Sequence, residues 1–273
     1  MRRTGFTLTE LLVVITILAL LMTVSLPVLS KARQHAKALR CRANVRNLVL
    51  SLHSYETEFQ SLPYGFDVTR QGKPPAGYQG YATFDTPGWW WFVFAKVARY
   101  KTLKGPDLLR CPSSRLDDPK LDRDLLCGKY AANRFLCKTR TRIGPYTEAF
   151  VGTPLSTARL PHPGATLLLV DGGYSLICWW QAAADPPVAL GDSYIEDTSY
   201  IPGLAINKDR ILWPGQSGDA IGGRHLNKSV NVGFADGHAE LKPASQLLVE
   251  KEKDGRYSNM VLWQGQPMSV QEP

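Results

Sequence analysis

The sequence lacks the signatures that most often announce an enzyme. It has no Gly-x-Ser-x-Gly elbow, no His-Glu-x-x-His pair and no glycine loop of the kind that cradles phosphate. No two of its five cysteines (Cys41, Cys111, Cys127, Cys137 and Cys178) form a Cys-x-x-Cys pair, which removes zinc-ribbon and thioredoxin-type readings. No internal repeat marks a solenoid. From Leu11 to Leu29 there is no charged residue, and between Thr23 and Lys31 there is no Ala-x-Ala-like cleavage site. An ordinary secretory signal has a shorter apolar region and such a site on its far side. The segment is therefore expected to stay in place as an anchor.

What is present is an ordinary globular composition, 44% hydrophobic and 21% charged over 273 residues, with a formal charge of +8. Lys31, Arg33, Lys37, Arg40, Arg42 and Arg46 cluster just after the apolar run. That placement points to lipid headgroups of the membrane rather than to nucleic acid. The cysteine count is odd, so at least one thiol stays unpaired within the chain. Cys127 with Cys137, or Cys41 with Cys111, are possible disulfides, and the sequence does not choose between them.

The apolar run with Phe6 to Glu10 included exceeds the roughly 20 residues a helix needs to cross a bilayer. Glu10 sits near its start, where a carboxylate is costly and usually has a partner. If the chain is cut between Gly5 and Phe6, the new amino group of Phe6, or that of a neighbouring subunit, supplies a cation about one helical turn away. The stretch Gly5-Phe6-Thr7-Leu8-Thr9-Glu10-Leu11-Leu12-Val13-Val14, after the short basic leader Met1-Arg2-Arg3-Thr4, resembles the cleavage and methylation signal of type IV prepilins and type II secretion pseudopilins. The resemblance implies that a membrane prepilin peptidase cuts after Gly5 and methylates Phe6, and that Glu10, the fifth mature residue, serves subunit assembly. Pro27 stands where many members of that family carry a helix-kinking proline. The positive-inside rule alone would hold Lys31 to Arg46 in the cytoplasm; the resemblance places the leader inside and the head outside, and that orientation is adopted.

Beyond the membrane, apolar residues recur at Cys41, Val45, Leu48, Leu52, Tyr55, Phe59 and Leu62 in steps of four and three, one face of a helix. Pro63 and Gly65 are expected to stop it. Cys41-Arg42-Ala43-Asn44, Asn47-Leu48 and Leu52-His53-Ser54-Tyr55 are similar to a group of prepilin-like bacterial proteins that carry a domain of unknown function after this helix. Leu108 to Ser113 resembles a Cys-Pro-Ser element of the same group. A lone histidine such as His53 more often makes a structural hydrogen bond than a ligand bond.

In the head, Trp89 to Phe94 reads as a buried helix or strand, packed beneath the long helix or exposed to sugars. Thr166 to Val170 and Tyr174 to Trp180 are expected to form a hairpin around Asp171-Gly172-Gly173. Lys228 to Phe234 alternates, with Val230, Val232 and Phe234 on one side, and Asp236-Gly237 should turn it into Ala239-Glu240-Leu241 through a type I′ turn. Gly222 to His238 resembles a processing-associated domain named for a His, nine residues, then Asp-Gly; here ten residues separate His225 from Asp236. His225, Asp236 and His238 are a candidate metal site, should the register bring them together. Asp171 and Asp192 are candidate calcium ligands, as in some pseudopilins by resemblance.

The expected fold is therefore α+β. A leader (1–5) precedes a long N-terminal helix (6–62, transmembrane over 6–29, then amphipathic), which packs on a periplasmic head with an antiparallel sheet (63–273). The expected protein is a single-pass bacterial inner-membrane subunit of a type II secretion pseudopilus or type IV pilus-like fibre, with no cofactor and no catalysis of its own. Its expected partners are prepilin peptidase, other pilin-like subunits and inner-membrane lipids, with no nucleic acid. The alternative is a membrane-tethered extracytoplasmic binding module that does not polymerise.

Overall fold

The computed structural model describes residues 8–71, 86–92, 94, 108–140, 150–186 and 199–266. One helix, α1 (Leu8–Phe59), runs for 52 residues, about 78 Å at 1.5 Å per residue. Pro27 lies inside it and leaves one carbonyl of the preceding turn without its N–H donor. Nearby hydroxyls bond back along the helix, Thr23 Oγ1 to the Leu20 carbonyl at 2.7 Å and Ser25 Oγ to the Leu21 carbonyl at 2.8 Å.

The amphipathic half keeps most of the stripe read from the sequence. Cys41, Val45, Leu48, Leu52 and Leu62 are buried, together with Ala38, Val49 and Glu56, whereas Tyr55 is half-buried and Phe59 is exposed. The helix ends before Pro63. Gln60 adopts a left-handed conformation (φ 61°), and its N–H returns to the Glu56 carbonyl at 2.7 Å. This is the cap that glycine more commonly supplies.

Among the described residues the head is built on five strands: β1 (Tyr130–Asn133), β2 (Leu167–Asp171), β3 (Leu176–Ile177), β4 (Ser229–Phe234) and β5 (Ala239–Pro243), in the order β3-β1-β2-β4-β5. The sheet is mixed rather than antiparallel throughout, because β1 pairs with β3 in parallel. The hairpin expected around Asp171-Gly172-Gly173 does not form. β1 inserts between its two strands, pairing antiparallel with β2. The chain then crosses β1 closely: a Cβ on Gly172 would lie 2.5 Å from the Ala131 Cβ.

The second hairpin does form, with Gly233 opposite Ala239 and Val232 opposite Glu240. Its turn is longer than the type I′ expectation. Four residues, Ala235 to His238, join the strands, and of these only Gly237 has positive φ (102°). A two-residue type I′ turn would need two such residues.

Both faces of the sheet are covered. Val230, Val232 and Phe234 point away from α1 and join a cluster with Trp179, Met260 and Trp263. On the other face Leu168 and Leu169 meet Cys41, Val45, Leu48 and Val49 of α1. Adjacent residues of a regular strand face opposite ways; an irregularity in the β2–β4 register between Leu167 and Leu169 accompanies this departure. α1 rests chiefly on β4, with β5 and β2 beside it. A glycine makes the approach possible: a Cβ on Gly233 would lie 2.5 Å from Val49 Cγ2 and 2.7 Å from Val45 Cγ1.

Among the described residues of the aromatic run, Trp89 bridges to Phe66, Trp90 and Trp91 form a turn, and Phe92 and Phe94 are helical. Trp89, Trp90 and Trp91 are each 1% exposed, and Trp89 stacks on Trp91 at 5.4 Å between centroids. They belong to the same cluster as the buried stripe of α1 and offer no stacking face to a sugar.

Candidate assembly helix and buried polar node

Two places in the molecule have unusual chemistry. The first is the free half of α1. From Leu8 to Leu29, fifteen large apolar side chains are between 46% and 82% exposed. The helix is long and apolar enough there to cross a membrane, and none of that window is buried in the chain itself. Glu10 is the acidic residue of its first turn and is exposed. Gly5 and Phe6 lie outside the described residues. Lys31, Arg33, Lys37, Arg40, Arg42 and Arg46 all face outward on the following turns.

The second is a buried polar node between α1 and the sheet. Asp171 closes β2, a strand buried along its whole length. Its Oδ2 accepts from the Asn231 backbone N–H at 2.6 Å and lies 3.1 Å from His225 Nε2. Arg224 Nη1 stands 3.8 Å from Asp171 Oδ1. Arg224 also donates from Nε and Nη2 to the Asp219 carboxylate at 2.8 and 2.7 Å, and to the Lys129 and Gly172 carbonyls at 2.6 and 2.7 Å. Asp219 accepts in addition from Tyr200 Oη at 2.9 Å and from the Arg115 N–H at 3.1 Å.

The side chains of Asp171, Arg224, Asp219 and His225 are fully buried. Two carboxylates therefore face a guanidinium and an imidazole, the pairing that makes buried charge tolerable. Burial works against charge on His225, but the adjacent Asp171 carboxylate outweighs it and lifts the imidazole to about 10. Burial likewise opposes charge on Asp171; His225, Arg224 and the Asn231 N–H prevail and hold it below its ordinary value.

Cys41 and Cys111 border this node. Their Sγ atoms are 2.7 Å apart, and Cys111 Sγ is 3.9 Å from His225 Nε2. Cysteine, histidine and aspartate here do not make a nucleophile relay. Such a relay places the thiol and the carboxylate on opposite ring nitrogens. Here both approach Nε2, while Nδ1 is buried without a partner.

His225, Asp236 and His238 are not brought together. β4 separates them, a strand of six residues that at about 3.3 Å per residue spans roughly 20 Å. Asp236 and His238 pair with each other at the exposed turn, at 2.6 Å. Asp171 is committed to the node, and Asp192 lies outside the described residues. Cys127 and Cys137 are buried and form no disulfide with each other. The sequence reading missed Arg224, Asp219 and Asn231. The one available signal was a lone carboxylate closing an apolar strand, which demands a buried cation.

A smaller site pins the end of α1. Glu56 accepts from the Thr157 N–H at 2.5 Å and from Thr157 Oγ1 at 2.6 Å, and His53 Nδ1 lies 3.5 Å away. Burial opposes its charge, yet the hydrogen bonds from His53, Thr157 and Ser156 dominate and hold the carboxyl down at about 2. Against an ordinary value of 4.5, its stabilisation is complete above about pH 4.5 and is lost as pH falls towards 2. Thermal unfolding of Glu56→Gln should show a shallower acid decline over that window and, near neutrality, a loss of about 1–3 kcal/mol. An unchanged acid slope would count against this role.

Residues 1–26 match the prokaryotic N-terminal methylation motif, and residues 30–130 match a family described as a protein of unknown function, DUF1559. Neither match reaches the His225 to His238 region. Competence protein ComGC of Halalkalibacterium halodurans is 34% identical over 67 residues, which are 24% of this chain and 66% of that protein. No solved structure matches. A methylation motif at the head of a long apolar helix, a DUF1559 region and a likeness to ComGC together support a prepilin-like family for this chain.

Proposed function

We propose that the chain is a subunit of a type II secretion pseudopilus or type IV pilus-like fibre, matured by a prepilin peptidase that cuts between Gly5 and Phe6 and methylates the new amino group. The observation that carries this reading is the bare apolar length of α1. An exposed apolar surface of that size needs a covering. Before assembly, lipid of the inner membrane covers it; after assembly, the same segments of neighbouring subunits do. In the bilayer Glu10 carries a cost, up to roughly 2.5–3.5 kcal/mol at a helix centre and less near an end. In the fibre its carboxylate faces the Phe6 ammonium of a neighbour. Residues 63–273 form the head on the periplasmic side. The outward basic residues from Lys31 to Arg46 meet anionic headgroups before the subunit leaves the membrane.

Intact-mass and N-terminal analysis of the membrane-extracted protein, with and without an active prepilin peptidase, tests the first step. The expected mature chain begins at N-methyl-Phe6. A chain that keeps Met1 to Gly5 in the presence of active peptidase would overturn the reading. Glu10→Ala should then be processed normally and keep the melting temperature of the head, yet fail to enter sheared fibres. Wild-type levels of that variant in fibres would remove Glu10 from assembly and favour a tethered head that does not polymerise.

A further inference from the structure

Cys41 projects from the docked face of α1, and Cys111 from the turn that follows Leu109 in the head. They are 0% and 4% exposed, and their sulfurs stand 2.7 Å apart across 70 residues of chain. A thiol–thiol hydrogen bond is weak and does not draw two sulfurs this close. A shared metal fits no better. Two thiolates each about 2.3 Å from a tetrahedral zinc stand about 3.8 Å apart, and the third candidate ligand, His225, is already engaged by Asp171. The separation is only about 0.7 Å beyond the roughly 2.05 Å of a covalent sulfur–sulfur bond. The other thiols are placed differently: Cys178 Sγ contacts Gln181 Oε1 at 2.9 Å, and burial pushes Cys137 up to about 12.

We propose that Cys41 and Cys111 form a disulfide that staples α1 to the head. The pairing in cells rests on the extracytoplasmic head proposed above, because disulfides persist in oxidising compartments. The oxidant is a donor disulfide. Cys41 loses its proton and attacks one donor sulfur, releasing the first donor thiol and leaving a mixed disulfide. Cys111 then loses its proton and attacks the Cys41 sulfur, releasing the second donor thiol. Two electrons pass to the donor, and the chain loses two hydrogens. Since both sulfurs end up buried, the exchange occurs before the Leu109–Ser113 segment closes over the helix. The other three cysteines remain thiols.

The staple fixes the helix where it first enters the head. Ala38 is the first buried residue of α1 and Cys41 the second. Lys129 to Ala131 and the Asp171 node lie beneath the same turn, with Tyr130 Oη 3.5 Å from the Cys41 carbonyl.

The test maps the bond in the full chain, extracted from membranes under alkylating, non-reducing conditions. Trypsin cuts after Arg40 and Arg110, so a linked pair should appear as Cys41-Arg42 joined to the peptide from Cys111 to Arg115. Its reduction should lower the melting temperature of the wild type by about 5–15 °C, and leave that of the Cys41→Ser/Cys111→Ser double variant unchanged. A second sample is purified reduced, partly unfolded and refolded with oxidised glutathione. The linked peptide in both samples supports the proposal. The linked peptide in the refolded sample alone supports the pairing and overturns the extracytoplasmic head. Its absence from both overturns the pairing, as does zinc retained by the purified chain with both thiols unlinked.

Discussion

Asp171→Ala is expected to cost the head about 3–5 kcal/mol, because it leaves the buried His225 imidazolium without its counter-charge and Arg224 with Asp219 alone. For a head of this size that is a fall of roughly 6–20 °C in melting temperature. The expectation follows from complete burial of the carboxylate and from its three neighbours, His225, Arg224 and Asn231. Asp171→Asn separates charge from shape. In the wild type, His225 is lifted to about 10 from an ordinary value of 6.5. A raised value in the folded state gives stability that is complete below about pH 6.5 and is lost as pH rises through about 10. Unfolding measured across that window should therefore fall with pH in the wild type and stay nearly flat in Asp171→Asn. An equal slope in both proteins would show that the Asp171–His225 pair does not hold that proton.

Gly233→Ala is expected to cost about 1–3 kcal/mol, the penalty for overfilling a packed interior. The added methyl would lie 2.5 Å from Val49 Cγ2 and 2.7 Å from Val45 Cγ1, closer than carbon atoms rest. Either the two valines shift or α1 lifts from β4. Shortening one valine distinguishes this from a general weakness of the strand. The pair Gly233→Ala and Val49→Ala should be less damaging than the sum of the single changes by about 0.5–3 kcal/mol. Strict additivity in chemical unfolding would mean that α1 does not sit on β4 through these atoms.

The parts of the fold that the sequence made legible are those with a sustained pattern. α1 has an uncharged apolar run followed by a stripe in steps of three and four, and the β4–β5 hairpin has strict alternation around an Asp-Gly. The stripe misled at its end, where Glu56 rather than Phe59 turns inward, because a carboxylate is buried there by Thr157, a partner 101 residues away. β1 was invisible. Tyr-Ala-Ala-Asn is short, weak in strand propensity and buried on both faces, so it neither alternates nor stands out. Missing it produced the false hairpin around Asp171, since nothing local reveals that a third strand will slip between two others. The polar node was hidden for a similar reason. Its members come from β2, β4 and the segment before β4, and only the folded register makes Asp171 and His225 neighbours. The metal trio of His225, Asp236 and His238 looked close along the chain and is held apart by the very strand that joins it.

The flank-on seating of α1 also has a mechanical meaning. Along its buried side the helix touches β4, β5 and β2. Tension transmitted along the helix axis therefore loads those contacts in shear, all at once, whereas a sideways pull would peel them turn by turn. The notch at Gly233, straddled by Val45 and Val49, resists that sliding as a detent resists a shaft. A chain built this way carries its head most securely when the load runs along the axis of α1.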